Sequence, residues 1–143
     1  MSLEINEKAV CRKVGKTFEL AAAKKYHPVE FTLKWLTSRT AFYLYEMNLN
    51  EIAQSAFYQL NSFEIEMKKE NFEFKMSSGT DYSDVMYWCG YFFTYWMYQD
   101  DISGIELAEE YDIEEIMKCY ETYHTMSCKT AVEKAKEDYK KQG

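Results

Sequence analysis

Cys119, His124 and Cys128 fall close together near the C-terminal end of the chain, and their side chains are of the types that ligate zinc or act as nucleophile and base. A structural zinc site normally draws on two close ligand pairs, so this triplet would need Cys89 or Cys11 as a distant fourth ligand. No CxxC pair occurs among the four cysteines, and in a reducing compartment they read more simply as buried thiols. A Cys–His nucleophile pair has no third group to orient it and no local signature around it. For acid–base or small-ligand chemistry in a helical pocket the candidates are His124 with Tyr120 or Tyr123, and His27. No cofactor motif accompanies them, and no cofactor or catalytic residue is assigned.

The second constellation is aromatic. Residues 82–98, YSDVMYWCGYFFTYWMY, hold five tyrosines, two tryptophans and two phenylalanines, more than one helix face can absorb. As a helix, the segment puts Val85, Trp88, Phe92 and Tyr95 on one face and Met86, Cys89, Phe93 and Trp96 on an adjacent one. Tyr87, Tyr91, Thr94 and Tyr98 make a third face that ends in hydroxyls. Apolar residues all round the circumference mark a central, buried helix. Gly90 costs such a helix about 1 kcal/mol relative to Ala, so a backbone or a large ring is expected to approach there. A helix crossing would account for this. The alternative is a partner or ligand groove along Tyr87, Tyr91 and Tyr98, since a buried Tyr must place its hydroxyl against a hydrogen-bond partner.

The elements that must position these residues can be placed from capping chemistry. A short polar side chain, a carboxylate three residues later and a flanking apolar pair recur along the chain. Pro28 sits at a helix's first position with Glu30 in its first turn. Asn48 with Glu51, Ser103 with Glu106 and Asp112 with Glu115 repeat the pattern, Asp81 with Asp84 opens the aromatic helix, and Ser127 caps the last. Helical periodicity places Ile5, Ala9, Val14, Phe18, Ala21 and Ala22 on one stripe of the first helix. Phe31, Leu33, Trp35 and Leu36 belong to a short second one, and residues 49–69 form a longer one through Ile52, Ala56, Tyr58 to Leu60, Phe63 and Met67. NFEFKM at 71–76 alternates as a strand does but has no partner strand, so it is taken as a linker. The predicted fold is all-α: a single-domain helical bundle over 1–143, of about six to seven helices around the central aromatic helix 82–99.

Charge narrows the partners. The net charge of -7 lies in the C-terminal half, where residues 72–143 carry seven Lys/Arg against fifteen Asp/Glu, so direct nucleic-acid binding there is disfavoured. GIELAEEYDIEEIMKCY, at 104–120, scans as a helix-turn-helix, yet its second helix would present Glu114, Glu115 and Glu121 to phosphates. A helical hairpin that packs Leu107, Ile113 and Ile116 inward explains the same pattern. The N-terminal helix carries Lys8, Arg12, Lys13, Lys16, Lys24 and Lys25, a basic face suited to solvent, to an acidic partner or to a second copy in a homodimer. The opening MSLEINEKAVCRK has no apolar core of the length a secretory signal needs, and the apolar run from Val85 to Tyr98 is shorter than the ~18 to 20 residues of a membrane span. A cytoplasmic location with no membrane partner is expected.

Tyr87-Trp88, Gly90-Tyr91, Tyr95-Trp96, then Ile102-Ser103 ahead of a helix, and Tyr123-His124-Thr125 together resemble a family of small uncharacterised proteins from anaerobic Gram-positive bacteria. There the aromatic segment reads YWxGYxYRYW, followed by an SSKE helix start and a YHT or FHT near the C-terminus. GKTFELAAAKKY, at 15–26, is similar to that family's opening helix, while 39–80 matches poorly. Where the family has Arg, this chain has Thr94, so any anion contact made by that Arg is lost. The family is encoded near toxin-like genes, including ones resembling ADP-ribosyltransferases. The resemblance therefore implies an antitoxin-like or accessory protein that binds a cognate, toxin-type partner.

Aromatic surface and acidic charge both suit a non-enzymatic interaction protein. Its expected partner-binding residues are Tyr87, Tyr91, Tyr98, His124, Glu114 and Glu115. The alternatives are an acidic, phage-type inhibitor of a nucleic-acid-binding protein, or a helical protein that binds or converts a small molecule through Tyr and His.

Overall fold

Helix ends in this chain fall where a short polar side chain can satisfy the free amides of a first turn. A computed structural model describes residues 4–141; Met1–Leu3 and the last two residues lie outside it. Ten helices run through the described residues: α1 (Ile5–Ala23), α2 (Pro28–Leu36), α3 (Arg39–Tyr45), α4 (Leu49–Ile52), α5 (Ala56–Lys69), α6 (Ser83–Asp100), α7 (Gly104–Glu110), α8 (Ile113–Lys118), α9 (Tyr120–Tyr123) and α10 (Cys128–Tyr139). The fold is all-helical, as the periodicity predicts, but it has more helices than the six to seven expected. Each extra boundary has a local cause. Ser38 starts α3 by accepting from the Ala41 amide at 3.1 Å. Ser55 separates α4 from α5 by accepting from the Tyr58 amide at 3.1 Å, and a turn at Cys119 divides α8 from α9.

Most predicted caps are present. Pro28 occupies the first position of α2, with His27 Nδ1 accepting from the Glu30 amide. Ser103 and Glu106 form a reciprocal capping box, and Asp112 and Ser127 accept from the amides of Glu115 and Thr130. The start of α6 differs. Asp81 accepts from the amide and hydroxyl of Ser83 at 2.9 and 2.7 Å, a local turn that delays the helix to Ser83.

α6 is the central helix: Met86, Cys89, Gly90 and every residue from Phe92 to Met97 are buried. α1 lies against it, and the closest approach is at two glycines. A Cβ on Gly90 would lie 2.7 Å from the Val14 carbonyl oxygen and 3.0 Å from Gly15 Cα. The crossing predicted at Gly90 is therefore with α1. Of the predicted α1 stripe Val14, Phe18, Ala21 and Ala22 are buried, joined by Val10, Cys11, Gly15 and Thr17, whereas Ile5 and Ala9 at its N-terminal end are exposed. In α2 Phe31, Trp35 and Leu36 are buried as predicted, but Leu33 is exposed and the hydrogen-bonded Thr32 is buried; in α5 Gln59, Leu60, Phe63 and Met67 are buried and Tyr58 is exposed.

The linker 71–76 contains no strand. It makes an isolated antiparallel bridge, Met76 to Tyr26, and its alternation turns Phe72 and Phe74 toward the core while Glu73 and Lys75 stay exposed. Phe74 sits 4.8 Å from the Tyr26 ring and 5.7 Å from Phe31 and Phe63, so the segment closes one end of the aromatic core. Leu107, Ile113 and Ile116 are buried as expected, but α7 and α8 do not pack on each other as a hairpin: α7 packs on α2, α3 and α6, and α8 on α2, α9 and α10. Among the described residues no helix is long and apolar enough to cross a membrane.

Candidate functional site

Asp84, Tyr87, Trp88 and Tyr91 are spaced i, i+3, i+4 and i+7 along α6, which brings all four onto one helix face. That face is the part of α6 left uncovered. Tyr87, Trp88 and Tyr91 are half-buried and Asp84 is exposed. Tyr120 and His124, one turn apart at α9, form the opposing wall, and Glu19 of α1 closes the rim. The result is an open groove of about 460 Å³.

Its walls are braced from behind. Trp88 stacks on buried Phe92 with ring centroids 4.4 Å apart and meets the Tyr120 ring edge-on at 5.6 Å. Tyr120 in turn stacks on His124 at 4.3 Å. His124 Nδ1 lies 2.7 Å from the Tyr120 carbonyl oxygen, which only accepts, so Nδ1–H is the donor and Nε2 is left as the acceptor of the neutral ring. Burial, and next the Asp84 charge, push the Tyr120 phenol pKa up; burial does the same at Tyr91. Both phenols are neutral at physiological pH.

Of the six residues predicted from sequence to bind a partner, the groove gathers Tyr87, Tyr91 and His124. Tyr98 lies elsewhere. Its hydroxyl donates to the Leu44 carbonyl at 2.6 Å, and burial raises its pKa, which makes it a packing residue between α6 and α3. Tyr98 lies on nearly the same face as Tyr91 but about two turns further along the axis, and at that level α3 covers the face. Glu114 and Glu115 share Lys118 at 3.9 and 3.5 Å on the surface of α8. Glu114 borders a neighbouring hollow of about 430 Å³ with His27, Val85 and Lys118, separated from the groove by Tyr120; Glu115 lines neither.

Trp88, Asp84 and Glu19 are groove residues that the sequence does not single out, whereas Tyr120 is named beside His124 as a pocket candidate and does stand with it on the groove wall. The signal for Asp84 and Trp88 was present in their i, i+3, i+4, i+7 spacing with Tyr87 and Tyr91. Trp88 was instead grouped with the buried Phe92, to which it does stack. Nothing local marks Glu19, whose place depends on how α1 packs.

The cysteine–histidine triplet does not converge. Cys119 Sγ pairs with the Tyr139 hydroxyl at 2.9 Å, His124 stands on the groove wall, and Cys128 begins α10 with its pKa pushed up to about 11 by burial. Among the described residues, no group of three or more His, Cys, Asp or Glu side chains is placed to hold a metal ion. Burial raises the Cys11 thiol to about 12 and that of Cys89 further, so at neutral pH both are protonated and poor nucleophiles. His27 is engaged at the start of α2.

Comparison with protein-family models, curated proteins and solved structures finds no match to this chain.

Proposed function

We propose that this chain is a non-enzymatic interaction protein that docks a cognate protein through the α6/α9 groove. One observation carries the proposal: Tyr87, Trp88, Tyr91, Tyr120 and His124 line an open groove rather than an enclosed cavity. Tyr and Trp are the side chains that supply most energy at interface centres, because each buries a large area and keeps a polar tip. Here Trp88, Tyr120 and His124 are held by ring contacts with Phe92 and with each other, so little of their rotamer entropy remains to be lost on binding.

The acidic C-terminal half favours a basic partner, and the resemblance of the aromatic helix to proteins encoded beside toxin-like genes makes an antitoxin-like or accessory role the preferred form of this function. The partner is a protein in the cytoplasm, and neither nucleic acid nor a membrane is its direct target. Acidic inhibition of a nucleic-acid-binding protein would use the same surface. A catalytic role is not proposed: the buried thiols are protonated, and no nucleophile or cofactor motif accompanies His124.

Co-expression with the proteins encoded on either side of the gene, followed by purification and mass determination, tests this function. A stoichiometric complex is the expected result; a chain that elutes without either neighbour would count against it.

A further inference from the structure

We propose that the α6/α9 groove receives the cationic head of an arginine or lysine side chain presented by the protein partner. The proposal rests on the docking function above and names the chemistry that the groove selects.

Aromatic ring faces attract cations through their quadrupole, and the attraction grows where water is displaced. Tyr87, Trp88, Tyr91 and Tyr120 supply such rings around one opening. Two carboxylates stand at its rim, and they are not equivalent. Glu19 is shared with Lys16 at 3.2 Å, whereas Asp84 makes no ion pair among the described residues. No Lys or Arg lines the groove, so an anionic occupant would meet Asp84 with no cation of the lining to offset it. A neutral apolar occupant would strip water from Asp84 and give it no partner, which is costly for a carboxylate. A guanidinium or ammonium both covers the rings and pairs with Asp84. At about 460 Å³ the groove is toward the small end of ligand sites, the scale of one long side chain.

The test uses the intact chain and two probes of nearly equal shape, N-acetylarginine amide and its uncharged citrulline counterpart, followed by the ring signals of Trp88, Tyr120 and His124 in NMR titrations. Arginine amide is expected to shift these signals saturably, and citrulline amide at the same concentration is not. Asp84→Asn, at an exposed position that leaves the fold intact, should weaken arginine binding about two- to fivefold, and Glu19→Gln should weaken it less. Equal shifts from both probes, shifts confined to other surfaces, or none in the groove would overturn the cation assignment. The docking function fails separately: if a neighbour-encoded protein still forms a complex over the groove while the two probes behave alike, only the cation chemistry falls. If arginine amide singles out the groove but no neighbour binds, the cation chemistry is supported and the protein partner falls.

Discussion

Gly90 and Gly15 meet where α6 crosses α1: a Cβ on Gly90 would stand 2.7 Å from the Val14 carbonyl oxygen, 2.9 Å from Phe18 Cγ and 3.0 Å from Gly15 Cα. This contact sets how far α1 approaches α6. It therefore also sets where Glu19, one turn beyond, meets the groove. At Gly15 the obstacle is different, because a Cβ there would meet the Tyr87 ring at 3.0 Å.

The two glycines should consequently respond differently to substitution. Gly90→Ala gains helix propensity but drives a methyl into backbone that cannot yield without moving α1, and a net loss of about 1–3 kcal/mol is expected. Gly15→Ala meets a half-buried ring that can swing outward, so it should cost less than Gly90→Ala while displacing Tyr87. Urea unfolding of both variants checks the order.

Tyr98 and Tyr91 were grouped by sequence and are separated by structure. Tyr98→Phe removes the hydroxyl that bonds Leu44 and should lower stability by about 1 kcal/mol. Tyr91→Phe, at a half-buried position on the groove, should leave stability close to unchanged and weaken partner binding. Thermal melts and a binding titration on the two variants make the comparison.

Ser38 is a buried cap with two bonds, donating to the Trp35 carbonyl at 2.6 Å and accepting from the Ala41 amide at 3.1 Å. Ser38→Ala loses both at the α2/α3 junction, and about 1–2 kcal/mol of stability should go with them. A chemical denaturation curve measures it.

Alkaline pH should destabilise the fold. Burial raises Cys11 from its ordinary 9.0 to about 12 and Cys128 to about 11, and the hydrogen bond to Asp101 raises Tyr45 from 10.0 to about 12. In each case the folded state holds its proton more tightly than the unfolded chain, so the contribution is complete below about pH 9 and is lost as pH rises through 11 to 12. Denaturant midpoints are expected to stay level from about pH 7 to 9 and to fall above that, with a shallower fall in Cys11→Ala.

Helix type and most helix starts were legible because capping is local: Ser103, Asp112 and Ser127 need only the next turn to show their role. The caps at Ser38 and Ser55 rest on the same chemistry, but Ser38 opens a helix over 39–45 that the periodicity does not mark, and Ser55 lies in a stretch whose periodicity suggests one continuing helix. Which face each helix buries was less legible, since the row at Cys11, Val14 and Gly15 is chosen by contact with Gly90 and not by hydrophobicity alone. The groove was half visible. Tyr87 and Tyr91 were found because they share a helix face, whereas Glu19 reaches it only through the tertiary packing of α1.

The central claim is that a protein partner covers the α6/α9 groove. Hydroxyl-radical footprinting of the complex with a neighbour-encoded protein reads it most directly, because Tyr, Trp and His side chains report their own exposure. Protection of Trp88, Tyr120 and His124, with the exposed Phe57 and Tyr58 of α5 unchanged, is the predicted result. Protection confined to Phe57 and Tyr58, with the groove rings as reactive as in the free chain, would contradict it.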